Sequence, residues 1–212
     1  MKLYNYFQSS ASFRVRIALH LKGLSYDYLP VRLAKDEHKQ PAFAAVSPEG
    51  LLPVLETDGG RRITQSMAII EYLEETHPQP ALLPADAVGR ARVRALAQLI
   101  ACEVHPLNNI RVRKYLLNDL KVGEEAQSAW YQHWTRLGFQ AYEAQLAHQP
   151  GTFSHGNTPT LADCCLVPQV ASAKRYKCDL NGLPRLMAVF DACMNLEAFQ
   201  RAQPSAQPDA DA

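Results

Sequence analysis

A proline-rich segment divides the sequence into two parts with different periodicity. The segment HPQPALLP (77–84) contains three prolines, and proline interrupts helices and strands alike. Before it, short apolar runs alternate with helical spacing, whereas after it the spacing is helical throughout. We therefore expect an α/β domain over residues 1–79 and an all-α domain over residues 85–203. The last residues, 204–212, are rich in Pro, Ala and Asp, and we expect them to be disordered.

The first part begins with a predicted β-α-β unit. KLYNYF (2–7) has the aromatic, apolar composition of a buried strand. A helical pattern follows from Ser10 to Lys22, and SYDYLPVRL (25–33) then alternates as a second strand. If the two strands share a sheet, this connection makes them parallel.

A loop, a hairpin and a further helix complete the first part. KDEHKQPAFAAVSPEG (35–50) is interpreted as a loop, and LLPVLETDGGRRITQ (51–65) predicts two strands around an Asp-Gly-Gly turn. A helix is predicted to begin at Ser66. Pro53 lies inside the first strand of this hairpin, which indicates either an edge strand or a cis turn at Leu52–Pro53.

Both predicted helix starts could bind an anion. Ser9, Ser10 and Ser12 surround the first start, and Gln65 and Ser66 form the second. Helix N-termini carry unsatisfied N–H groups and the positive end of the helix dipole, and the serine hydroxyls add donors. The alternative is that the serines only cap the helices. Two such starts in one small α/β unit favour a ligand with two anionic groups.

Polar residues also cluster in the second part. His105-Pro106 should bend a long helix that runs from Asp86 to about Asp119, and Asn108, Asn109 and Arg111 follow the bend, where they could line a cleft. Arg175 lies in a basic cluster and could pair with a carboxylate. For the two arginines the alternative is a solvated helix face, and for His105 it is a structural histidine.

Thr160 and Asp163 have the spacing of a capping box, which we interpret as structural.

The bulk composition excludes several classes of protein. Lys and Arg number 22 against 21 Asp and Glu, which argues against nucleic acid as the main partner. The five cysteines lack metal-site spacing, so we expect reduced core thiols and no metal. MKLYNYFQSS has no apolar signal region and no long apolar stretch follows, so we expect a cytoplasmic protein with no membrane segment.

Four segments, in order, resemble zeta-class glutathione transferases over the whole chain except the tail. They are YFQSSASFRVRIAL (6–19), PEGLLPVLETD (48–58), ITQSMAIIEYLEE (63–75) and TLADCCLVPQVASAKRYKCDL (160–180). The resemblance implies a thioredoxin-like β-α-β-α-β-β-α domain followed by an all-α domain. It also implies a homodimer and glutathione as cofactor.

The resemblance assigns a role to each candidate residue. It implies a cis bond before Pro53, with Leu52 pairing with the cysteinyl backbone of glutathione. Gln65 and Ser66 would hold the γ-glutamyl end, His38 would contact the glycyl end, and the first helix start would face the thiol. The residues at that start are Ser9, Ser10, Ala11 and Ser12, and the second-domain wall of the site would consist of His105, Asn108, Asn109 and Arg111.

The implied reaction is the cis–trans isomerisation of maleylpyruvate to fumarylpyruvate by reversible addition of the glutathione thiolate, in the catabolism of gentisate. The substrate is a small keto-diacid, and Arg175 and Arg111 are the candidates to bind its carboxylates. The alternatives are isomerisation of maleylacetoacetate, dehalogenation of small α-halo acids, and a non-catalytic binding module.

The sequence departs from the family pattern at the first helix. Relatives read Ser-Ser-Cys-Ser where this chain has Ser9-Ser10-Ala11-Ser12. A role for a protein thiol is therefore in doubt, but the isomerisation needs only the thiol of glutathione. Gln8 stands where relatives often carry arginine, and the sequence leaves its role and that of Arg14 open.

Overall fold

The computed structural model describes residues 1–147 and 149–210. The chain forms two compact units, one of Met1–Leu82 with Met194–Ala212 and one of Leu83–Cys193. The first break lies three residues after the predicted end at residue 79. The prediction that residues up to 203 belong to the helical domain is wrong, because the segment from Met194 onward packs with the N-terminal residues.

The first unit is built on a mixed sheet of four strands in the order β2-β1-β3-β4. Their bounds are β1 Lys2–Asn5, β2 Asp27–Pro30, β3 Val54–Glu56 and β4 Arg62–Thr64. β2 runs parallel to β1, with Lys2 opposite Asp27, as the β-α-β prediction requires. β3 runs antiparallel to β1, with Leu3 opposite Leu55, and β4 completes the predicted hairpin. This confirms the thioredoxin-like arrangement.

The helices of the first unit are α1 Ser10–Leu21, α2 Pro41–Ala44, α3 Ser66–Thr76 and α10 Glu197–Ala202. All the residues of α1 from Ser12 to Leu19 are buried, so this helix lies at the centre of the unit. The segment interpreted as a loop, 35–50, contains the 3-10 helix Glu37–Lys39 and α2, and a further 3-10 helix, Leu33–Lys35, ends at its first residue. α10 packs on α1, where Phe199 and Ala202 are fully buried.

Residues 204–210 are ordered, which contradicts the prediction of a disordered tail over 204–212; Asp211 and Ala212 lie outside the described residues. Pro204–Ala206 form a 3-10 helix. The side chain of Gln207 is buried and donates to the carbonyl oxygens of Arg201 and Gln203 at 2.7 and 2.9 Å. The composition predicted disorder because it lacks apolar residues, whereas buried hydrogen bonds stabilise this segment.

All the regular secondary structure in the described residues of the second unit is helical, as predicted. Its helices are α4 Ala87–Gln98, α5 His105–Asn108, α6 Ile110–Asn118, α7 Glu124–Leu146, α8 Leu161–Arg175 and α9 Pro184–Met194. The predicted long helix from Asp86 to about Asp119 is divided, because a π-helical stretch, Leu99–Val104, joins α4 to α5 and Asn109 separates α5 from α6. The interruption lies around His105-Pro106, where a bend was predicted.

The capping box at the start of α8 is present, as predicted. The carboxylate of Asp163 is fully buried and accepts from the backbone N–H groups of Ser154 and Thr160 at 2.9 and 2.7 Å. Burial raises the pKa of Asp163, and the hydrogen bonds from Ser154 and Thr160 oppose that rise. The residue therefore stabilises the core of the second unit.

The cysteines are free thiols, as expected, but not all of them lie in the core. Cys164, Cys165 and Cys193 are buried, Cys178 is half-buried and Cys102 is exposed. Across residues 1–147 and 149–210, no helix combines the length and the apolar character that a membrane crossing requires.

Candidate active site

The turn before α1 places Ser9 at the N-terminus of the helix. The backbone N–H of Ser9 donates to the carbonyl oxygen of Tyr6 at 3.0 Å, which closes a tight turn. The Ser9 side chain then caps α1 by accepting from the backbone N–H of Ser12 at 3.2 Å. A hydroxyl that accepts in this way keeps its own proton to donate. Because Ser9 is only partly buried, a ligand can reach that proton.

The other residues of this start differ in their exposure. Ser10 and Ala11 are partly exposed in the first turn of α1, where helix N–H groups have no partner within the helix. Ser12 is fully buried, and its N–H is used by the cap. Ser12 therefore takes part in the cap of α1, and its predicted position next to a thiol stays a prediction.

The start of α3 is the second candidate anion site. Gln65 immediately precedes the helix with φ 67°, in the left-handed region, and its side chain donates to Glu49 Oε2 at 3.0 Å. Ser66 follows as the first residue of the helix and is 6% exposed. The first turns of α1 and α3 are both described in full and contain no acidic residue. The positive end of each helix dipole is thus available to an anionic ligand.

Arg14 connects the two helix starts. Its side chain is 2% exposed, and Nη1 donates to the hydroxyl oxygen of Ser66 at 3.2 Å. A hydroxyl polarised by a cationic donor becomes a better donor itself. Sequence reasoning did not find this role. The sequence did contain a feature that could have indicated it: a cationic residue lies one turn after the start of a helix that was predicted to bind an anion.

Leu52, Pro53 and His38 lie on neighbouring loops of the first unit. The Leu52–Pro53 peptide bond is cis, as predicted. Pro53 is buried and leads directly into β3 at Val54. His38 is half-buried in the second 3-10 helix, and its carbonyl oxygen lies 3.4 Å from the position that a Cβ on Gly50 would take. The loop that carries His38 is therefore close to the loop that leads to Leu52.

The donors of the first unit suit a peptide that carries carboxylates and a thiol. One helix start offers a serine hydroxyl that is already a cap, and the other offers a serine in contact with a buried guanidinium. Charge-assisted donors of this kind favour a carboxylate or a thiolate over a neutral group. No group of three or more metal-ligating side chains occurs in the described parts of the chain.

The predicted residues of the second unit surround the junction between α5 and α6. His105 begins α5 and is half-buried. The Asn109 side chain caps α6 by accepting from the N–H groups of Arg111 and Val112 at 3.0 and 3.1 Å. Asn108 is 5% exposed and donates to the hydroxyl of Thr135 at 2.8 Å. Its amide nitrogen is thus held by α7, and its contribution to the wall of the site stays a prediction.

The two predicted arginines are both exposed. Arg111 lies in the first turn of α6, and Arg175 ends α8 with its guanidinium carbon 5.2 Å from the centre of the Tyr176 ring. Arg113 joins these elements: its guanidinium lies over the same ring at 4.2 Å and donates to the Tyr176 hydroxyl. The sequence left Arg113, like Arg111, as a possible solvated residue, and its contact with Tyr176 could not be predicted because the two residues are 63 positions apart.

Comparison with known proteins agrees with this geometry. The glutathione S-transferase N-terminal domain model matches residues 8–76, and the corresponding C-terminal domain model matches residues 124–192. Maleylpyruvate isomerase from a Ralstonia species is 54% identical over 211 residues, which is 99% of both chains.

Two solved structures are similar over nearly the whole chain. The holo structure of maleylpyruvate isomerase, described as a bacterial glutathione S-transferase of the zeta class, has a TM-score of 0.96 at 53% identity and covers 99% of this chain and 100% of its own. Maleylacetoacetate isomerase from Methylobacterium extorquens AM1, with bound malonate and glutathione, has a TM-score of 0.96 at 35% identity and covers 100% of both chains. This chain therefore belongs to the glutathione S-transferase family, in its zeta class.

Proposed function

We propose that this protein is a glutathione-dependent cis–trans isomerase that converts maleylpyruvate to fumarylpyruvate. The observation that carries the proposal is the pair of helix starts joined by the contact from Arg14 to Ser66. The full-length similarity to a maleylpyruvate isomerase supports the choice of substrate.

Glutathione would bind to the first unit, where the donor set fits it. Ser66 and Gln65 would hold the γ-glutamyl carboxylate, with the charge of Arg14 behind the Ser66 hydroxyl. The backbone of Leu52 would pair with the cysteinyl residue, and His38 would contact the glycyl end. A solved relative of this chain binds glutathione, which supports the assignment.

Ser9 and the N-terminus of α1 would stabilise the thiolate. When bound, glutathione supplies a thiolate that adds reversibly to the cis double bond of the substrate. A free thiol has a pKa near 8.5, and helix N-termini lower this value. Ser9 would donate its hydroxyl proton toward the sulfur, while Ser10 and Ala11 contribute the N–H groups of the first turn. Since Ala11 replaces cysteine, no protein thiol competes at this turn.

Arginine side chains would bind the carboxylates of the keto-diacid. Arg175 and Arg111 are exposed and remain charged at neutral pH, and guanidinium binds carboxylate in a planar fork. The relative with bound malonate shows that a zeta-class protein accepts a small dicarboxylate. Of the second-unit residues, His105, Asn109 and Arg111 would contribute to the wall of the site, with Asn108 supporting them from inside.

The proposal extends to assembly and cellular location. We expect a cytoplasmic homodimer, as in the family that the sequence resembles, with no nucleic acid or membrane partner. The near balance of 22 basic and 21 acidic residues supports the absence of a polyanionic partner.

Isomerisation of maleylacetoacetate is the second candidate, because a relative of that name has the same fold over 100% of this chain. The two substrates differ only beyond the keto group. Comparison of kcat/KM for both, at saturating glutathione, tests the choice. A higher value for maleylpyruvate supports the proposal, and a higher value for maleylacetoacetate would replace the substrate while leaving the glutathione site unchanged.

A further inference from the structure

The C-terminal segment holds the turn that leads into α1. Asp209 is 5% exposed, and its Oδ2 accepts from the backbone N–H of Phe7 at 3.2 Å. Its Oδ1 accepts the phenol hydroxyl of Tyr28 in β2. Burial and the bond to Asp209 raise the pKa of Tyr28, so the phenol remains a donor. One carboxylate near the end of the chain thus connects β2 to the turn two residues before Ser9.

Arg16 also contacts this turn. It is fully buried, and Nη2 donates to the carbonyl oxygen of Phe7 at 2.9 Å. Its Nε donates to the carbonyl oxygen of Ala202 at 2.9 Å, at the end of α10. Burial lowers the pKa of Arg16 to about 10, and the nearby charge of Asp209 opposes that change. The amide and the carbonyl of Phe7 are therefore each fixed by a charged side chain.

The fixed turn determines where the Ser9 hydroxyl lies. The carbonyl oxygen of Tyr6 accepts from Ser9 N–H, so Phe7 and Gln8 form the centre of the turn. Any displacement of Phe7 would move the serine that caps α1. Hydrogen-bond donors stabilise an anion only within a narrow range of distances and angles. A displacement of about 1 Å therefore lowers the reaction rate substantially.

We propose that Asp209 is a positioning residue for the reaction, which fixes the turn from Tyr6 to Ser9 and so aligns the Ser9 hydroxyl with the glutathione thiolate. The inference rests on the proposed function, because it requires bound glutathione. Within the described residues, the titratable groups that interact with the Asp209 carboxylate include Tyr28 from β2 and Arg16 from α1. Asp209 is buried, and it would act through the Phe7 amide.

The test compares Asp209→Ala and Asp209→Asn with wild type in the full-length protein. The charge control is Asp191→Ala, since Asp191 is an exposed residue of α9 in the other unit. Thiolate absorbance in the ultraviolet gives the pKa of enzyme-bound glutathione, and thermal unfolding gives Tm. For Asp209→Ala we expect a thiol pKa higher by about one unit and a kcat at neutral pH lower by about tenfold. The rate should recover at higher pH, with little change in the KM for glutathione.

Asp209→Asn separates alignment from stability. Asparagine keeps one oxygen to accept from Phe7 N–H, so we expect a smaller shift of the thiol pKa in the same direction, even if the alanine variant does not fold. A wild-type thiol pKa and pH profile in the folded variants, whatever their Tm, would overturn the positioning role. If neither the wild-type protein nor the Asp191→Ala control shows a thiolate signal when glutathione is added, the proposed function itself is contradicted. That outcome is distinct from a failure of the positioning role, in which the wild-type protein shows the signal.

Discussion

Arg14 Nη1 lies 3.2 Å from the hydroxyl oxygen of Ser66. This contact joins α1, one turn after its start, to the first residue of α3, and both side chains are nearly excluded from solvent. A buried hydrogen bond therefore connects the two parts of the proposed glutathione site.

Replacing Arg14 should weaken glutathione binding more than it affects the turn at Ser9. Arg14→Met removes the charge behind Ser66, and a hydrogen bond to a charged group contributes about 1.5–3 kcal/mol. We expect the Kd for glutathione, measured by calorimetric titration, to rise by roughly ten- to a hundredfold. Arg61→Met, at an exposed arginine of the hairpin, is the matched control. An unchanged Kd in Arg14→Met would show that the γ-glutamyl group binds elsewhere.

Replacing Ser9 should raise the pKa of the bound thiol as well as reduce stability. Ser9→Ala removes the cap of α1, which costs about 1 kcal/mol in the free energy of unfolding, and it also removes the proposed donor to the thiolate. We expect kcat at neutral pH to fall by roughly tenfold or more, with recovery in Ser9→Thr. Ser10→Ala serves as the comparison. A larger effect on thiol pKa from Ser10→Ala would transfer the donor role to Ser10.

Arg175 should affect the substrate and leave the cofactor unaffected. Arg175→Leu removes a planar cationic donor, so we expect the KM for the keto-diacid to rise by about tenfold or more while the Kd for glutathione stays the same. Steady-state kinetics and glutathione titration measure the two quantities separately. Lys174→Leu is the control, because Lys174 is also exposed and its ammonium lies over the Phe190 ring at 4.1 Å. Equal effects of the two substitutions would argue against a specific carboxylate site at Arg175.

The stability of the protein should depend on pH through His20. Burial lowers the pKa of this histidine, and the positive charges of Arg201 and Arg16 lower it further. Between the lowered pKa in the folded chain and about pH 6.5, His20 is therefore protonated to a greater extent in the unfolded chain than in the folded chain. We expect the free energy of unfolding, from urea titrations, to fall as pH decreases through this range, and His20→Gln to reduce that slope. A variant with the wild-type slope would assign the dependence to other groups.

Much of the fold could be predicted from local patterns. The apolar spacing of α1, the Asp-Gly-Gly turn between β3 and β4, and the capping box at Thr160 are encoded within a few residues, and each lies where the sequence predicted it. The start of α1 at Ser10 and that of α3 at Ser66 were also predicted, because helix caps depend on adjacent residues.

The remaining features depend on partners far apart in the chain. Arg14 meets Ser66 across 52 positions, and Asp209 meets Phe7 across 202. Neither pairing has a local signature. The tail was predicted to be disordered because it contains few apolar residues that could be buried. Its order comes instead from a few buried polar contacts, such as those of Asp209 and Gln207.

An isomerisation assay is the most direct test of glutathione-dependent isomerisation. Maleylpyruvate absorbance is followed with purified protein, with and without glutathione, and total glutathione is measured at the end. We expect rapid formation of fumarylpyruvate that requires glutathione and leaves the total amount of glutathione unchanged. Conversion without glutathione, or stoichiometric loss of glutathione, would contradict a cofactor-using isomerase.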